Sequence, residues 1–588
     1  MAAGEPDEAS PLLDVEQSSN MSDGAESVNK QVRSLAELEA DWDPDTPQSP
    51  SQLDESDFVT TTEDRNLKRG LHQRHVSLIA IAGAIGTGLF LGLGGSIQTG
   101  GPLGALLGYA TVGLIVCAVQ FALGEVTALF PVTGSFVRHA EVLVDPALGF
   151  AIGFVDATRP PSQVLIHVYR YNLVYGNCLS IPTEITAICV LFQYWTDINP
   201  ALWIVIFIAL TVAVGLCFIG IYGEIEFWFA LLKIVFIIFL ILLGLVIDLG
   251  GVSGTPRIGF RYWKHPGPFV EFIGTGSWGR FLGYWAVMSN AVFSFAGTES
   301  LAMAAAETRN PRVTIPKACK RVFIRVATFY ILAVLVVGML VPSDDPRLDD
   351  QSGTAAQSPF VIAASAAGLS GVPSLVNAIV ITSAWSSSNQ ALLSGTRVLY
   401  GLAVKKQAPS LFLRTTPWGT PYLCTLFFGA FMFLAFMSLS EGALTVFWWL
   451  VDLTACGVLI SWITVLSNHL RLMRAMKAQG IELRRLPWHS KLTEYSTPTA
   501  LILCVTVLLT AGFPFFTKGN WSTTGFVSSY LDIPLVITAY VAWKIHKGTK
   551  IVKLTDIPLE EALARADQDI EPEAEQPGWR RVVGFLWD

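Results

Sequence analysis

The sequence predicts an all-α integral membrane protein with about twelve transmembrane helices, built as a five-plus-five inverted repeat with broken helices 1 and 6. Three observations predict it. Charge is scarce, at 15% of the 588 residues against 52% hydrophobic, where an ordinary soluble domain carries roughly 25% charge. Apolar runs of about 20 residues follow one another through the middle of the chain, each long enough to cross a hydrocarbon core of roughly 30 Å as a helix. Two of those runs, five crossings apart, are interrupted by small residues, as inverted repeats require.

The elements follow in order. Residues 1–74 are polar, acidic and rich in Ser, Asp, Glu and Pro. They bury too little apolar surface to fold alone, so a disordered cytoplasmic tail is expected. Met1–Pro11 has neither a basic n-region nor an apolar h-region, so no cleaved signal is expected. Crossings are expected at 76–97, 103–129, 147–194, 202–219, 225–248, 281–305, 320–341, 358–404, 421–438, 443–468, 498–516 and 528–545. The run 358–404 is too long for one crossing and reads as a short approach, a break at Gly371-Val372-Pro373, then the crossing. The domain division is therefore a tail (1–74), a transmembrane domain (75–545) and a cytoplasmic C-terminal tail (546–588).

Loop charge orients the chain, because cytoplasmic loops are enriched in Lys and Arg. Arg309, Arg312, Lys317, Lys320 and Arg321 follow the sixth crossing, and Lys405, Lys406 and Arg414 the eighth. Arg471, Arg474, Lys477, Arg484, Arg485 and Lys491 follow the tenth. The loops after the seventh and eleventh hold only Arg347 and Lys518, and the former also carries Asp344, Asp345, Asp349 and Asp350. Both termini are thus expected in the cytoplasm. The loop after the fifth crossing, with Arg257, Arg261, Lys264 and Arg280, fits poorly.

Composition excludes several classes. The net charge of −8 comes largely from the N-terminal tail, and no basic, aromatic-interleaved face suggests nucleic acid. The 8 cysteines are scattered singly, mostly inside apolar runs, and read as small packing residues. No metal cluster, phosphate loop or Ser/His/Asp set appears. An enzyme is not expected, and neither is a cofactor or a metal.

The interrupted runs carry the chemistry. The first crossing contains Gly83, Gly86 and Gly88 at its middle. Broken helix there offers bare N–H groups and a positive half-helix end, which suits a carboxylate; close packing through small residues is the alternative. The sixth contains Phe293-Ser-Phe-Ala-Gly-Thr-Glu299. Ionisable residues inside a membrane are costly and usually functional, and Glu184, Lys233 and Glu299 stand out, with Glu125 and Asp452 behind them. Glu299 can equally be a pin for unwound backbone. Lys233 can snorkel to an interface or, buried, lose and regain a proton as its charged form is costly there. Seven positions separate it from Glu226, close to two turns, so both can face the bundle interior.

The stretch Arg74-His-Val-Ser-Leu-Ile-Ala-Ile-Ala-Gly-Ala-Ile-Gly-Thr-Gly-Leu-Phe-Leu-Gly92 with Thr99-Gly-Gly-Pro-Leu-Gly104 resembles the opening of fungal amino-acid permeases, the yeast branch of the amino acid–polyamine–organocation superfamily. Ile181–Thr186, Glu226–Lys233, Phe293–Glu299, Ala306–Lys317 and Ser386–Tyr400 match further blocks in order. The resemblance covers roughly residues 70–550. It implies proton-coupled import of amino acids across the plasma membrane. It also implies that Ile85, Gly86, Thr87 and Gly88 meet the substrate carboxylate. Phe293, Ser294, Phe295, Ala296 and Gly297 would meet the rest, with the carbonyls of Phe293 and Ala296 on the ammonium and the Phe293 ring as gate. Lys233 would match a lysine proposed in relatives to exchange a proton. Partners implied are amino acids, protons, membrane lipid and, by analogy, ubiquitylation machinery on the tails, for instance at Lys30. An amino-acid-sensing receptor on the same fold is the alternative function.

One stretch departs from the family. Residues 155–171 place Asp156, Arg159, Pro160, Pro161 and Arg170 inside the third crossing, where a central Arg or Asp costs about 2.5–3.5 kcal/mol. An unspliced short intron explains it best; a functional loop is the alternative. Near the end, Gly578–Trp587 interleaves aromatics with arginines and is expected to lie as a short helix on the inner membrane surface, or else to pack on the protein.

Overall fold

The computed structural model describes residues 86–132, 135–153, 172–196, 198–217, 219–299, 302, 311–348, 358–404 and 408–568. Among them every regular element is helical. Ile85, Lys30, the stretch 155–171 and the expected surface helix at 578–587 lie outside the described residues.

The first crossing enters at its interruption. Gly86 is extended (φ −114°, ψ −157°), and helix begins at α1 (Thr87–Phe90), passing through Leu91 into α2 (Gly92–Leu129). α2 holds the rest of the first crossing and all of the second. They meet at Gly101, whose φ of +76° favours glycine, and Pro102 opens the second. A Cβ on Gly101 would stand 2.8 Å from the Phe269 backbone, so the loop before the sixth crossing closes against this corner.

α3 (Phe136–Leu143), absent from the sequence reading, precedes α4 (Pro146–Gly153) and α5 (Asn172–Phe192), the two described ends of the third crossing. α6 (Pro200–Gly215) starts with an Asn199 cap that accepts the Ala201 N–H at 2.9 Å and with proline at the first helical position. α7 (Ile219–Asp248) is the fifth crossing and α8 (Gly276–Ser294) the sixth up to its break. α9 (Pro311–Leu340) starts well before the expected 320, so Arg312, Lys317 and Lys320 ride on helix instead of loop. α10 (Pro359–Ala366) is the short approach, and α11 (Gly371–Val404) the eighth crossing. The break falls at Ala367–Ser370, just ahead of the expected Gly-Val-Pro, because proline is tolerated in a first turn.

α12 (Tyr422–Met432) is prolonged by 3₁₀ turns, and α13 (Ala443–Ala478) runs past its expected end at 468, taking Arg471, Arg474 and Lys477 out of the loop. α14 (Thr493–Thr510) is the eleventh crossing. α15 (Thr523–Tyr530) and α16 (Asp532–Lys547) form the twelfth, bent by 46°. α17 (Leu559–Gln568) follows in the C-terminal tail.

Six described helices are long and apolar enough to cross a membrane alone, and the bent pair makes a seventh. The others fall short for identifiable reasons: α6 is short, and α8 and α11 carry polar residues toward the interior. α2 packs along α8 and α9, and α5 along α11 and α13. Second therefore meets seventh, third meets eighth, and the two interrupted helices touch, as paired repeats should.

The chain after the last crossing is tied to the face carrying the basic loops. Val552 N–H donates to the Val144 carbonyl at 3.0 Å, and Gln479 Nε2 to the carbonyls of Leu554 and Ile557 at 2.8 and 2.9 Å. Arg471 donates to the carbonyls of Leu143 and Val552. Leu559 and Leu563 of α17 are buried.

Candidate functional site

The site is where the two interruptions meet. On the first crossing, extended Gly86 leaves the opening N–H groups of a half-helix without helical acceptors, at the positive end of its dipole. On the sixth, α8 stops at Ser294. Ala296 N–H turns back to the Phe293 carbonyl at 3.0 Å, and Gly297 takes φ +86°. That end is the negative one. The helices touch without intervening side chain: a Cβ on Gly88 would lie 2.7 Å from Ser294 Cα. Two tyrosines hold the sixth helix there. Tyr330 donates to the Ser294 carbonyl at 2.7 Å, and the Tyr109 hydroxyl lies 3.0 Å from Ser294 Oγ.

A cavity opens at this junction. Gly86, Gly88, Phe293, Ser294, Ala296, Gly297, Glu184 and Glu299 all line it, so sequence-predicted residues from three crossings converge. Two do not reach it. The Thr87 side chain is buried, and its hydroxyl donates to Glu184 Oε2 at 3.0 Å. Phe295 turns away to stack on Tyr330, ring centres 4.6 Å apart.

The ionisable residues divide into two groups. Glu299 accepts from Trp462 Nε1 at 3.2 Å and from the Gly297 N–H at 3.4 Å, so it braces the unwound backbone of its own helix. Lys233 is 1% exposed and does not snorkel. Its ammonium donates to Ser387 Oγ at 3.4 Å, one side chain behind the cavity wall, with Glu184 and Glu226 facing its charge. Asp452, a weaker sequence candidate, lies elsewhere and accepts from Ser528 at 3.3 Å.

Glu226, expected from its spacing to face the bundle interior with Lys233 but given no site role, is fully buried and accepts from Ser386 Oγ at 2.5 Å. Sequence reasoning also passed over Asn177 and Ser180 on α5, Gln390 on α11 and Thr454 on α13, all in the cavity wall. One signal was available: Ser386-Ser-Ser-Asn-Gln390 places five polar side chains in succession in a membrane helix, more than an outward face tolerates.

Crossed half-helices around a polar cavity, in a bundle of membrane-spanning helices, define a transporter of small solutes. The chain belongs to the amino acid permease family, which matches residues 75–555. It is 35% identical over 524 residues to the dicarboxylic amino acid permease of Saccharomyces cerevisiae, covering 87% of this chain and 83% of that protein. To the proline-specific permease of Emericella nidulans it is 36% identical over 500 residues (84% and 88%), and to the basic amino-acid permease of S. cerevisiae 32% over 569 residues (96% and 93%). A crystal structure of a manganese transporter mutant from Eremococcus coleocola shares the fold, with a TM-score of 0.50 at 12% identity over 84% of this chain and 94% of that one. The family consists of permeases, and the chain is an integral membrane transporter, not an enzyme.

Proposed function

We propose that the chain imports amino acids across the plasma membrane together with protons, with both tails in the cytoplasm. One observation carries the substrate reading: the positive end of one half-helix and the negative end of another face the same cavity. That polarity suits a zwitterion, carboxylate at Gly86–Gly88 and ammonium at the carbonyl end near Phe293 and Ala296. Lys233 supports proton coupling. It is buried inside the bundle, where a charged lysine is costly and a neutral one is not, so its proton can leave and return within a cycle. Thr87, bonded to Glu184, ties that balance to the first helix.

The basic face described above is the cytoplasmic one in this reading, and residues 1–74 and 546–588 are its tails. The relatives are named for acidic, cyclic and basic amino acids, so the family leaves the side-chain class open. The test is radiolabelled uptake of a full amino-acid panel in a permease-deficient host, with and without a protonophore. Concentrative uptake that collapses with the protonophore is expected. Binding without flux would overturn the reading in favour of a receptor.

A further inference from the structure

At the basic face, four titratable side chains form a line from surface to interior. Glu125 ends the second crossing and is fully buried. Its Oε2 lies 2.6 Å from His469 Nε2 on α13 and 3.3 Å from His489 Nδ1 in the loop between α13 and α14. The other nitrogen of His489, Nε2, lies 3.4 Å from Glu494 Oε1, whose side chain is 40% exposed. The other nitrogen of His469, Nδ1, lies 3.1 Å from the Thr497 hydroxyl. Each imidazole therefore has one nitrogen turned outward and one inward. Glu125 Oε1 is occupied separately, by the Ser490 N–H at 2.9 Å and the Thr493 hydroxyl at 2.7 Å, which leaves Oε2 to the histidines. Trp488 stacks on Phe121 at 5.6 Å and fixes the loop.

Three charged or titratable side chains on the surrounding elements, Arg312, Arg471 and His139, are directed elsewhere. Arg312 on α9 caps the Ala128 and Leu129 carbonyls, one turn beyond Glu125. Arg471 holds the C-terminal segment, and His139 on α3 contacts the Phe130 carbonyl at 2.7 Å. Lys317 and Lys320 of α9, Arg138 and Glu141 of α3, Arg474 and Lys477 of α13, Glu482, Arg484, Arg485 and Lys491 of the loop, and Glu560, Glu561 and Arg565 of α17 are the other charges on these elements.

We propose that Glu494, His489, Glu125 and His469 form the relay through which the co-transported proton leaves to the cytoplasm. Between the cavity and the inner end, His469, the proton travels on water. Trp462, which donates to Glu299 at the cavity, precedes His469 by two turns of the same helix, roughly 10 Å. The Thr497 hydroxyl gives its proton to His469 Nδ1 and regains one from water on its inner side, and His469 releases the proton on Nε2 to Glu125 Oε2. Glu125 passes it to His489 Nδ1, and His489 gives up its Nε2 proton to Glu494 and water. Each group gains one proton and loses one, so the relay ends with its charge unchanged and both imidazoles in the opposite tautomer, ready to reset by ring rotation. The competing role, a clamp that merely holds the loop on α2, uses the same contacts but needs no proton movement.

The inference rests on the proton-coupled reading above, and the test separates the two. Cytosolic pH and radiolabelled uptake are followed in the permease-deficient host, using the best substrate from the panel. Counterflow exchange, which needs no net proton release, is measured in parallel. Glu125→Gln keeps the acceptor for Ser490 and Thr493 but cannot carry the proton. Substrate-driven acidification and net uptake should fall about tenfold or more while most exchange remains. His489→Ala, in a partly exposed loop, should behave alike and regain net flux when imidazole is supplied at the cytoplasmic face of inside-out vesicles. Unchanged acidification in Glu125→Gln overturns the relay. Exchange and uptake falling together in both variants, without imidazole rescue, also overturns it and leaves the clamp. If Glu125→Gln does not reach the membrane, His489→Ala decides alone. A wild-type protein whose substrate moves no protons would instead refute the coupling itself.

Discussion

Thr87 and Glu184 are joined by a 3.0 Å hydrogen bond between the interruption of the first crossing and the middle of the third. The carboxylate of that pair lines the cavity and faces Lys233. Occupancy of the cavity and the charge of Lys233 therefore act on one side chain.

From this follows an expectation for Lys233→Ala. With the cation gone, Glu184 and Glu226 no longer share a counter-charge that a proton can switch. Counterflow exchange should persist while accumulation against a gradient is lost, and a protonophore should add little. Concentrative uptake with wild-type pH dependence in the mutant would make the lysine structural.

Gly86 and Gly88 should respond differently to the same change. A Cβ at Gly86 meets Ser387 Oγ at 3.0 Å and Glu184 Oε1 at 3.1 Å, both ends of side chains that can give. Gly86→Ala should fold and raise KM about tenfold, equivalent to roughly 1.4 kcal/mol of binding. A Cβ at Gly88 meets the Ser294 backbone at 2.7 Å. Gly88→Ala, and still more Gly88→Val, should lower stability by about 1–3 kcal/mol through overpacking. Uptake kinetics and thermal melting in detergent on both variants check the contrast. A stable Gly88→Val with no uptake would instead point to obstruction of the ligand.

Glu299 braces Gly297 and Trp462. Glu299→Ala leaves the buried Trp462 N–H without its acceptor, at a cost of about 1–3 kcal/mol. Glu299→Gln restores an acceptor and should recover most of the melting temperature and the uptake. A Gln variant that melts normally but transports nothing would assign the carboxylate a charged role in the cycle.

Asp145, in the turn before the third crossing, gives a pH signature. Burial alone would raise its carboxyl, but hydrogen bonds from Lys544 at 2.5 Å, the Ala147 N–H at 2.8 Å and Tyr540 at 3.1 Å hold it below the usual carboxylate range. A lowered folded value adds stability above the unfolded value of about 3.9, and that stability is lost as pH falls through the folded one. Asp145→Asn should therefore melt earlier than wild type at neutral pH, and the gap should close in acid. A gap that is constant down to pH about 3 would mean the bonds, not the charge, carry the effect.

Much of the architecture was legible because lipid imposes it: apolar length fixes the crossings. The break at Gly86 was legible for a local reason, three glycines within one crossing. The errors lie where tertiary contacts decide. α9 and α13 extend beyond their apolar cores because Arg312 finds the carbonyls ending α2, and Arg471 those of Leu143 and Val552. Phe295 sits in the expected segment but turns away, since only three-dimensional packing reveals Tyr330 behind it. Glu226 was visible as a charge in a membrane helix, but its partner Ser386 is 160 positions distant. α17 was missed because its buried face, Leu559, Leu563 and Ala566, is only three residues and pairs with helices made long before it.

That last contact has a consequence for biogenesis. Arg471 and Gln479 point at carbonyls of Val552, Leu554 and Ile557, a segment that leaves the ribosome after every crossing has been inserted. The underside of the bundle is thus finished last, by a stitch from the newest part of the chain. Until residues 552–557 are in place, Arg471 and Gln479 lack these carbonyl acceptors and are left to water.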